Sequence, residues 1–275
     1  MRAQNLAISI PKTKDCDKNC PYCVSKMTGF LKPNLDLFWK NIGKAKTLAK
    51  HSNITSVLIT GKGEPMQEPD LVRSVLYIFR EFPTELQTNG KYLHKNPEYV
   101  ETLSDEGLNV LAISIDQPEE ITEYAHLVKR AQAAGMLVRY TINLTNRFES
   151  RSFWHIFTMC KLAGIDQLSL REVTIPTDAI DTKESKAAQE WINKHVNTNF
   201  VKTIKVGMKL NLEESGRFLM SLPYGAKLYD LEGISVTWFD YCVQDNNEGD
   251  DIRSLIYQED GHLQTCWNSR ASKLF

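Results

Sequence analysis

Cys16-Asp17-Lys18-Asn19-Cys20-Pro21-Tyr22-Cys23 places three cysteines in a C-x3-C-x2-C spacing just past a short apolar strand signal over residues 6–10. A loop that returns three thiolates to one point suits three corners of a 4Fe-4S cluster, and because such clusters take four ligands, one iron stays open. The competing reading is a structural zinc site that borrows Cys20 and Cys23 as half of its ligands. Zinc wants a second pair, and the sequence holds no second Cys-x-x-Cys and no His-x3-His.

Outward from that loop the chain alternates between two periodicities. Pro33 and Asn34 precede Leu35, Phe38, Trp39, Ile42, Ala45 and Leu48, the three-and-four spacing of a helix laid on a core. Residues 54–60 form a β-branched apolar run that stops at Gly61-Lys62-Gly63-Glu64-Pro65, which predicts a buried strand. The pair of signals then recurs. A helix over 71–82 leads to a strand over 84–87 ending in Thr88-Asn89-Gly90, and a helix over 97–105 leads to a strand over 109–115 ending in Ser114-Ile115-Asp116. Ile121, Tyr124, Leu127, Val128, Ala131 and Ala134 share the next helix face, with Gly135 as its stop and a strand over 136–144. Phe153, Trp154, Phe157 and Cys160 mark the following helix, closed by Gly164, before a strand over 167–173 and a helix over 182–196.

Six strand-helix units predict an α/β fold with a parallel sheet, a partial (β/α)6 TIM-type barrel. From about residue 197 the alternation fails: 200–205, 234–242 and 252–257 read as strands, and Asp260-Gly261 as a hairpin turn. The expected organisation is a barrel core over 1–196 and a β-rich C-terminal extension over 197–275 that closes the barrel, the two forming one compact unit.

Active sites of β/α barrels lie at the C-terminal ends of the strands. Those predicted ends carry the cysteine loop, residues 61–65, Thr88-Asn89-Gly90, Ser114 and Asp116, Asn143, and Arg171-Glu172. Gly61 and Gly63 allow main chain to approach a ligand closely. Ser114 and Asp116, two apart on a strand, point to one side and suit ribose hydroxyls, while Arg171 offers a fork for a carboxylate. Each has a plainer reading as well. The glycines alone would make an ordinary strand-to-helix loop, Thr88-Asn89-Gly90 a simple turn, and Ser114, Asp116 and Arg171 caps or mutual partners.

The cysteine triplet with an aromatic before its last member resembles the signature of the radical S-adenosylmethionine (SAM) family. The strand-end Gly61-Lys62-Gly63-Glu64-Pro65 is similar to that family's glycine-glycine-glutamate-proline motif, with Lys62 departing from the second glycine of the commonest spelling. Over residues 6 to 175 the likeness implies that Cys16, Cys20 and Cys23 ligate one 4Fe-4S cluster and that Gly61, Gly63 and Glu64 form the site of the SAM amino group. It further implies that Ser114 and Asn143 touch the ribose or carboxylate of SAM and that Tyr22 packs beside cluster and adenine; Thr88, Asn89, Asp116 and Arg171 are expected as further SAM contacts from their places at the strand ends. The implied reaction is reductive cleavage of SAM to methionine and a 5′-deoxyadenosyl radical, which abstracts hydrogen from a peptide, a nucleotide or a small molecule. An external electron donor of flavodoxin or ferredoxin type and oxygen sensitivity follow from the same likeness. Leu170-Arg171-Glu172 resembles the molybdenum-cofactor-synthase and peptide-modifying branch, without its cysteine-rich extension for auxiliary clusters. A glycyl-radical-enzyme activase is the alternative within the class, and a zinc-stabilised, non-catalytic binding protein the alternative outside it.

Composition narrows the field. With 275 residues the chain buries about three quarters of its unfolded surface and needs no disulfide framework. The remaining cysteines, Cys160, Cys242 and Cys266, are scattered, and the start has no leader pattern, so a reducing cytoplasm is expected. A net charge of -1, evenly mixed, gives no electrostatic reason to bind nucleic acid or membrane. Cys160 reads as a core thiol. Cys242 and Cys266 lie in the closing segment, where either is a candidate hydrogen-atom donor to a substrate radical; the plainer reading is a packed strand cysteine.

Overall fold

The structure, a computed structural model, describes residues 2–12, 16–149, 151–196, 198–222, 226–239 and 251–275; Cys242 lies outside the described residues. The elements in chain order are β1 (Arg2–Ser9), α1 (Val24–Thr28), α2 (Leu35–His51), β2 (Ser56–Thr60), α3 (Pro69–Phe79), β3 (Thr84–Thr88), α4 (Lys91–Lys95), α5 (Tyr99–Asp105) and β4 (Val110–Ile115). They continue as α6 (Pro118–Glu123), α7 (Ala125–Ala133), β5 (Leu137–Leu144), α8 (Phe153–Ala163), β6 (Gln167–Glu172), α9 (Lys183–His195), α10 (Asn199–Ser215), β7 (Arg217–Ser221), β8 (Lys227–Leu231), β9 (Ile234–Phe239), β10 (Asp251–Tyr257) and β11 (Leu263–Gln264). Two compact units result, one from Met1–Asn19, Thr28–Leu111 and Asp245–Phe275, the other from Cys20–Met27 and Ala112–Gln244. The C-terminal stretch thus contributes to both.

In the first unit the strand order is β11-β10-β1-β2-β3. β1 runs parallel to β2, with Ser9 opposite Thr60, and parallel to β10, with Ile8 opposite Tyr257; β2 runs parallel to β3. β1 has both of its edges paired, and Leu6, Ala7, Ile8 and Ser9 are consecutively buried, the unbroken pattern of a central parallel strand. α2 starts because the Asn34 side chain accepts the Leu37 N–H at 3.0 Å, and it buries Phe38, Ile42, Ala45 and Ala49. Leu35 and Trp39, expected on that face, are exposed instead, because the buried stripe is centred one position further round the helix. In α3, Val72, Val75, Leu76 and Phe79 are fully buried, each worth about 2 kcal/mol relative to exposure. The turn between β10 and β11 rests on α2: a Cβ on Gly261 (φ +81°) would lie 2.6 Å from the Leu37 carbonyl carbon and the Phe38 nitrogen, so only glycine fits there.

The second unit holds the order β4-β5-β6-β9-β8-β7. β5, β6 and β9 are mutually parallel neighbours, and β8 pairs antiparallel with β9 and with β7. Gly135 and Gly164 end α7 and α8 at φ +85° as the spacing predicts. The fold is α/β with a mixed, mostly parallel, open sheet, the partial TIM-type barrel of the sequence pattern. Rather than closing a barrel, the C-terminal strands lengthen an open sheet: β10 and β11 add beside β1, and β9, β8 and β7 add beside β6.

One element differs in kind. Residues 200–205 read as a strand and belong to α10, which the Thr198 hydroxyl caps by accepting the Val201 N–H at 3.2 Å. Val201, Met208 and Leu212 are buried along one helical stripe, and that packing overrides the β-branched propensity of Val201, Thr203, Ile204 and Val206. Among the described residues, no helix is long and apolar enough to cross a membrane.

Candidate functional site

In the first unit β2 and β3 end side by side, so residues 61–65 and Thr88-Asn89-Gly90 leave from neighbouring parallel strands. Glu64 joins them. Its Oε1 accepts the Met66 N–H at 3.0 Å, capping the 3-10 turn Pro65–Gln67, and also accepts the Thr88 hydroxyl; Oε2 accepts the Asn89 N–H at 2.7 Å. Burial pushes this carboxyl up to about 7, against the pull of those three donors. The Thr88 hydroxyl in turn accepts the Gly90 N–H at 3.2 Å, and Gly90 opens α4 at φ +79°. Neither Gly61 nor Gly63 is left-handed, and a Cβ at Gly61 would make only ordinary contacts of 3.5 Å or more; what these glycines provide is main chain uncovered by side chains.

Asn89 carries the link onward to the cysteine loop. Its Oδ1 accepts the Lys91 N–H at 2.9 Å, and its Nδ2 donates to Asp17 Oδ1 at 2.8 Å and lies 3.8 Å from Cys16 Sγ. Lys91 Nζ donates to the Asp17 carbonyl at 3.0 Å. Burial raises the Cys16 thiol, while the main-chain N–H groups of Lys18 and Asn19 bond to its sulfur and pull the other way. Those donors favour a thiolate over a thiol, which suits Cys16 as a ligand.

In the second unit Cys20 and Cys23 flank Tyr22 at the start of α1. The Cys23 N–H donates to the Cys20 carbonyl at 3.3 Å, and Lys26 Nζ donates to the same carbonyl at 3.0 Å. Cys20 Sγ donates to Asp116 Oδ2 at 3.0 Å, and the Tyr22 hydroxyl donates to Asp116 Oδ1. The Asp116 N–H is fixed by Glu120 Oε2 at 2.7 Å, and the Asn143 side chain also bonds to the Tyr22 hydroxyl. Burial first, then the Asp116 charge, raise the Tyr22 hydroxyl well above its usual range, so it stays a donor. Tyr22, Asp116, Asn143 and Cys20 therefore form one network, which fixes Asp116 to the cysteine loop.

Around Tyr22 lie residues that strand-end reasoning does not reach. Its ring centroid is 5.3 Å from that of Trp191, which stacks on His195 at 4.6 Å, and Asn146 Nδ2 is 3.1 Å from His195 Nδ1. Trp191 and His195 are four apart on α9, a spacing that marks one helix face but not which partner it meets. Arg171 stands opposite Asn143 in the β5–β6 register, with its guanidinium 5.6 Å from the Phe239 ring, and Glu172 pairs with Lys205 at 2.6 Å. Ser114 is half-buried near the end of β4.

The three cysteines divide between the units, Cys16 in the first and Cys20 and Cys23 in the second, and among the described residues no three Cys, His, Asp or Glu side chains converge as an ion site. The fit to an iron-sulfur cluster is one of donor chemistry. Cys16 has main-chain donors for a thiolate, and Asp116 is in place to take the Cys20 proton. Of the other cysteines, Cys160 is buried in α8 with its thiol pushed up to about 12 by burial, a packing residue. Cys266 is half-buried, its N–H bonded to Ser272 Oγ at 3.1 Å.

Residues 10–139 match the family model described as Radical SAM superfamily. The fold is similar to that of Streptococcus suis SuiB bound to precursor peptide SuiA, at 15% identity and a TM-score of 0.58, covering 96% of this chain and 60% of SuiB. It is also similar to native anSMEcpe with bound AdoMet and Cp18Cys peptide, at 12% identity and a TM-score of 0.60, covering 98% of this chain and 75% of that one. Comparison with curated protein sequences returned no match.

Proposed function

On the match of residues 10–139 to the radical SAM superfamily, we propose that Cys16, Cys20 and Cys23 hold a single 4Fe-4S cluster with which the chain cleaves SAM. When bound, the cluster delivers one electron from an external flavodoxin- or ferredoxin-type donor to SAM, giving methionine and a 5′-deoxyadenosyl radical that takes hydrogen from the substrate. The observation that carries the reading is the Glu64 network, which ties the glycine-glutamate-proline turn to Asn89 and, through Asn89, to the loop of Cys16.

The side chains divide into two roles. Glu64 turns its oxygens inward to Met66, Thr88 and Asn89, so it holds Thr88 and Asn89 in place and leaves the main-chain carbonyls of residues 61–63 as the SAM ammonium site. Asp116 accepts the proton that Cys20 gives up on becoming a ligand, and it keeps Tyr22 oriented. Ser114 and Asn143 are assigned to the adenosine side and Arg171 to the SAM carboxylate. Peptide is the substrate class to test first, because two proteins of similar fold were solved with peptides bound.

The test is anaerobic reconstitution with iron and sulfide. A brown protein with about four iron per chain, releasing 5′-deoxyadenosine from SAM under dithionite, is the expected result. A colourless protein that keeps stoichiometric zinc after anaerobic purification overturns the proposal. Cys266 is carried as the hydrogen-atom donor to the substrate radical. Its alanine variant should still release 5′-deoxyadenosine but give altered product stereochemistry, and unchanged product stereochemistry removes it from that role.

A further inference from the structure

Lys62 is the position where the glycine turn departs from the commonest spelling, and its side chain is buried at 8% exposure. A buried ammonium is costly unless its three donors find acceptors. Here they do: Nζ donates to the Gly29 carbonyl at 3.0 Å and to Asn268 Oδ1 at 2.9 Å, and reaches Thr28 Oγ1 at 3.4 Å. All four residues belong to the first unit. Thr28 and Gly29 form the descending stem of the cysteine loop, and Asn268 lies in the C-terminal segment after β11. The same turn touches the ascending stem, where Lys12 Cδ would be 3.1 Å from a Cβ on Gly63. Both stems also meet Glu259, a carboxylate buried just past β10 beside the main-chain N–H groups of Lys12 and Leu31 and near the Lys62 charge.

Resting on the reading above, we infer that Lys62 is a positioning residue. Its ammonium couples the turn that receives the SAM amino group to the stem of the cysteine loop and to the C-terminal segment, so that the three move as one. A glycine at this position has no atoms to make that connection. In this chain the C-terminal segment is therefore part of what fixes the cofactor turn, and a change at Asn268 is transmitted to residues 61–64 through one side chain.

Amide hydrogen exchange on the chain as purified, needing neither cluster nor SAM, tests the coupling directly. Lys62→Met keeps the stem and removes the donors; it should speed exchange about tenfold in peptides covering 28–31, 61–64 and 266–270 together, with Lys62→Arg restoring protection. In the reconstituted protein the same Met variant should hold its full iron and bind SAM about tenfold more weakly. Faster exchange confined to 61–64, uniform acceleration over the whole chain, or unchanged SAM affinity each overturns the inference. Should Lys62→Met not fold, Asn268→Ala serves in its place, and unchanged exchange at 28–31 in that variant overturns it equally. A wild-type chain that takes up no iron refutes the proposed cluster, whereas loss of the coupled exchange pattern refutes only the role of Lys62.

Discussion

Replacing Cys20 by Ala is expected to give a chain that folds but returns from reconstitution with no 4Fe-4S absorption and no 5′-deoxyadenosine above the no-enzyme background. The same holds for Cys16 and Cys23. A cluster with one iron kept for SAM has only three protein ligands, so removing one leaves two, too few to hold it. Stability should hardly change, because all three cysteines are only half-buried. Cys20→Ser separates ligation from packing: it keeps the size and a hydroxyl for Asp116 Oδ2, and it should fail as completely as Ala. Cys160→Ala is the opposite case. Its thiol is buried in α8, so this variant should load iron normally while losing about 1 kcal/mol of stability to the cavity. Iron content by colorimetric assay, with urea midpoints measured in parallel, distinguishes the two patterns. A Cys20→Ala chain that still turns over refutes the ligand assignment.

How much of this was legible in the sequence depended on the reach of the interactions. The stops at Gly135 and Gly164 and the runs of β2, β3 and β6 are decided within a few residues, so local pattern finds them. α10 was misread because its first residues are β-branched and the stripe that settles it, Val201, Met208 and Leu212, spans three turns. β7 gave no signal at all, since every one of its residues is exposed and nothing alternates. The pairing of β10 with β1 brings together opposite ends of the chain, and no local feature announces it. The site shows the same division. Glu64, Thr88 and Asn89 are legible as strand-end polar residues, but the bonds among them are not, because two of the Glu64 partners lie 24 and 25 residues away. Asp116 is legible as a strand-end carboxylate, whereas its bonds to Tyr22 and Cys20, 94 and 96 positions earlier, are not. Lys62 reads as a departure from a motif because its partner Asn268 lies 206 residues on.

Glu64 supplies the second large effect. Glu64→Ala strips the acceptor from three buried donors, the Met66 N–H, the Asn89 N–H and the Thr88 hydroxyl, and at 1 kcal/mol or more for each the loss should reach about 3 kcal/mol. Glu64→Gln is the finer instrument. Its amide oxygen keeps most bonds in the place of Oε1, where it accepts from Met66 and Thr88, so the NH2 faces the Asn89 N–H and that main-chain donor loses its acceptor. The pH dependence then separates charge from hydrogen bonding. Burial raises the Glu64 carboxyl in the folded chain from 4.5 to about 7. A group raised in this way contributes stability that is complete below pH 4.5 and is lost as pH climbs through about 7, an interval worth roughly 3 kcal/mol. Gln carries no charge and loses nothing over that interval. Thermal denaturation of the two proteins should therefore show Glu64→Gln well below wild type at pH 5 and close to it at pH 8. In exchange experiments Asn89 and residues 16–19 should open in Glu64→Gln at either pH, because it is the bond to Asn89, not the charge, that holds the first cysteine's loop. A variant equally destabilised at both pH values, with protection at Asn89 intact, would show that the carboxylate serves only the turn that follows it.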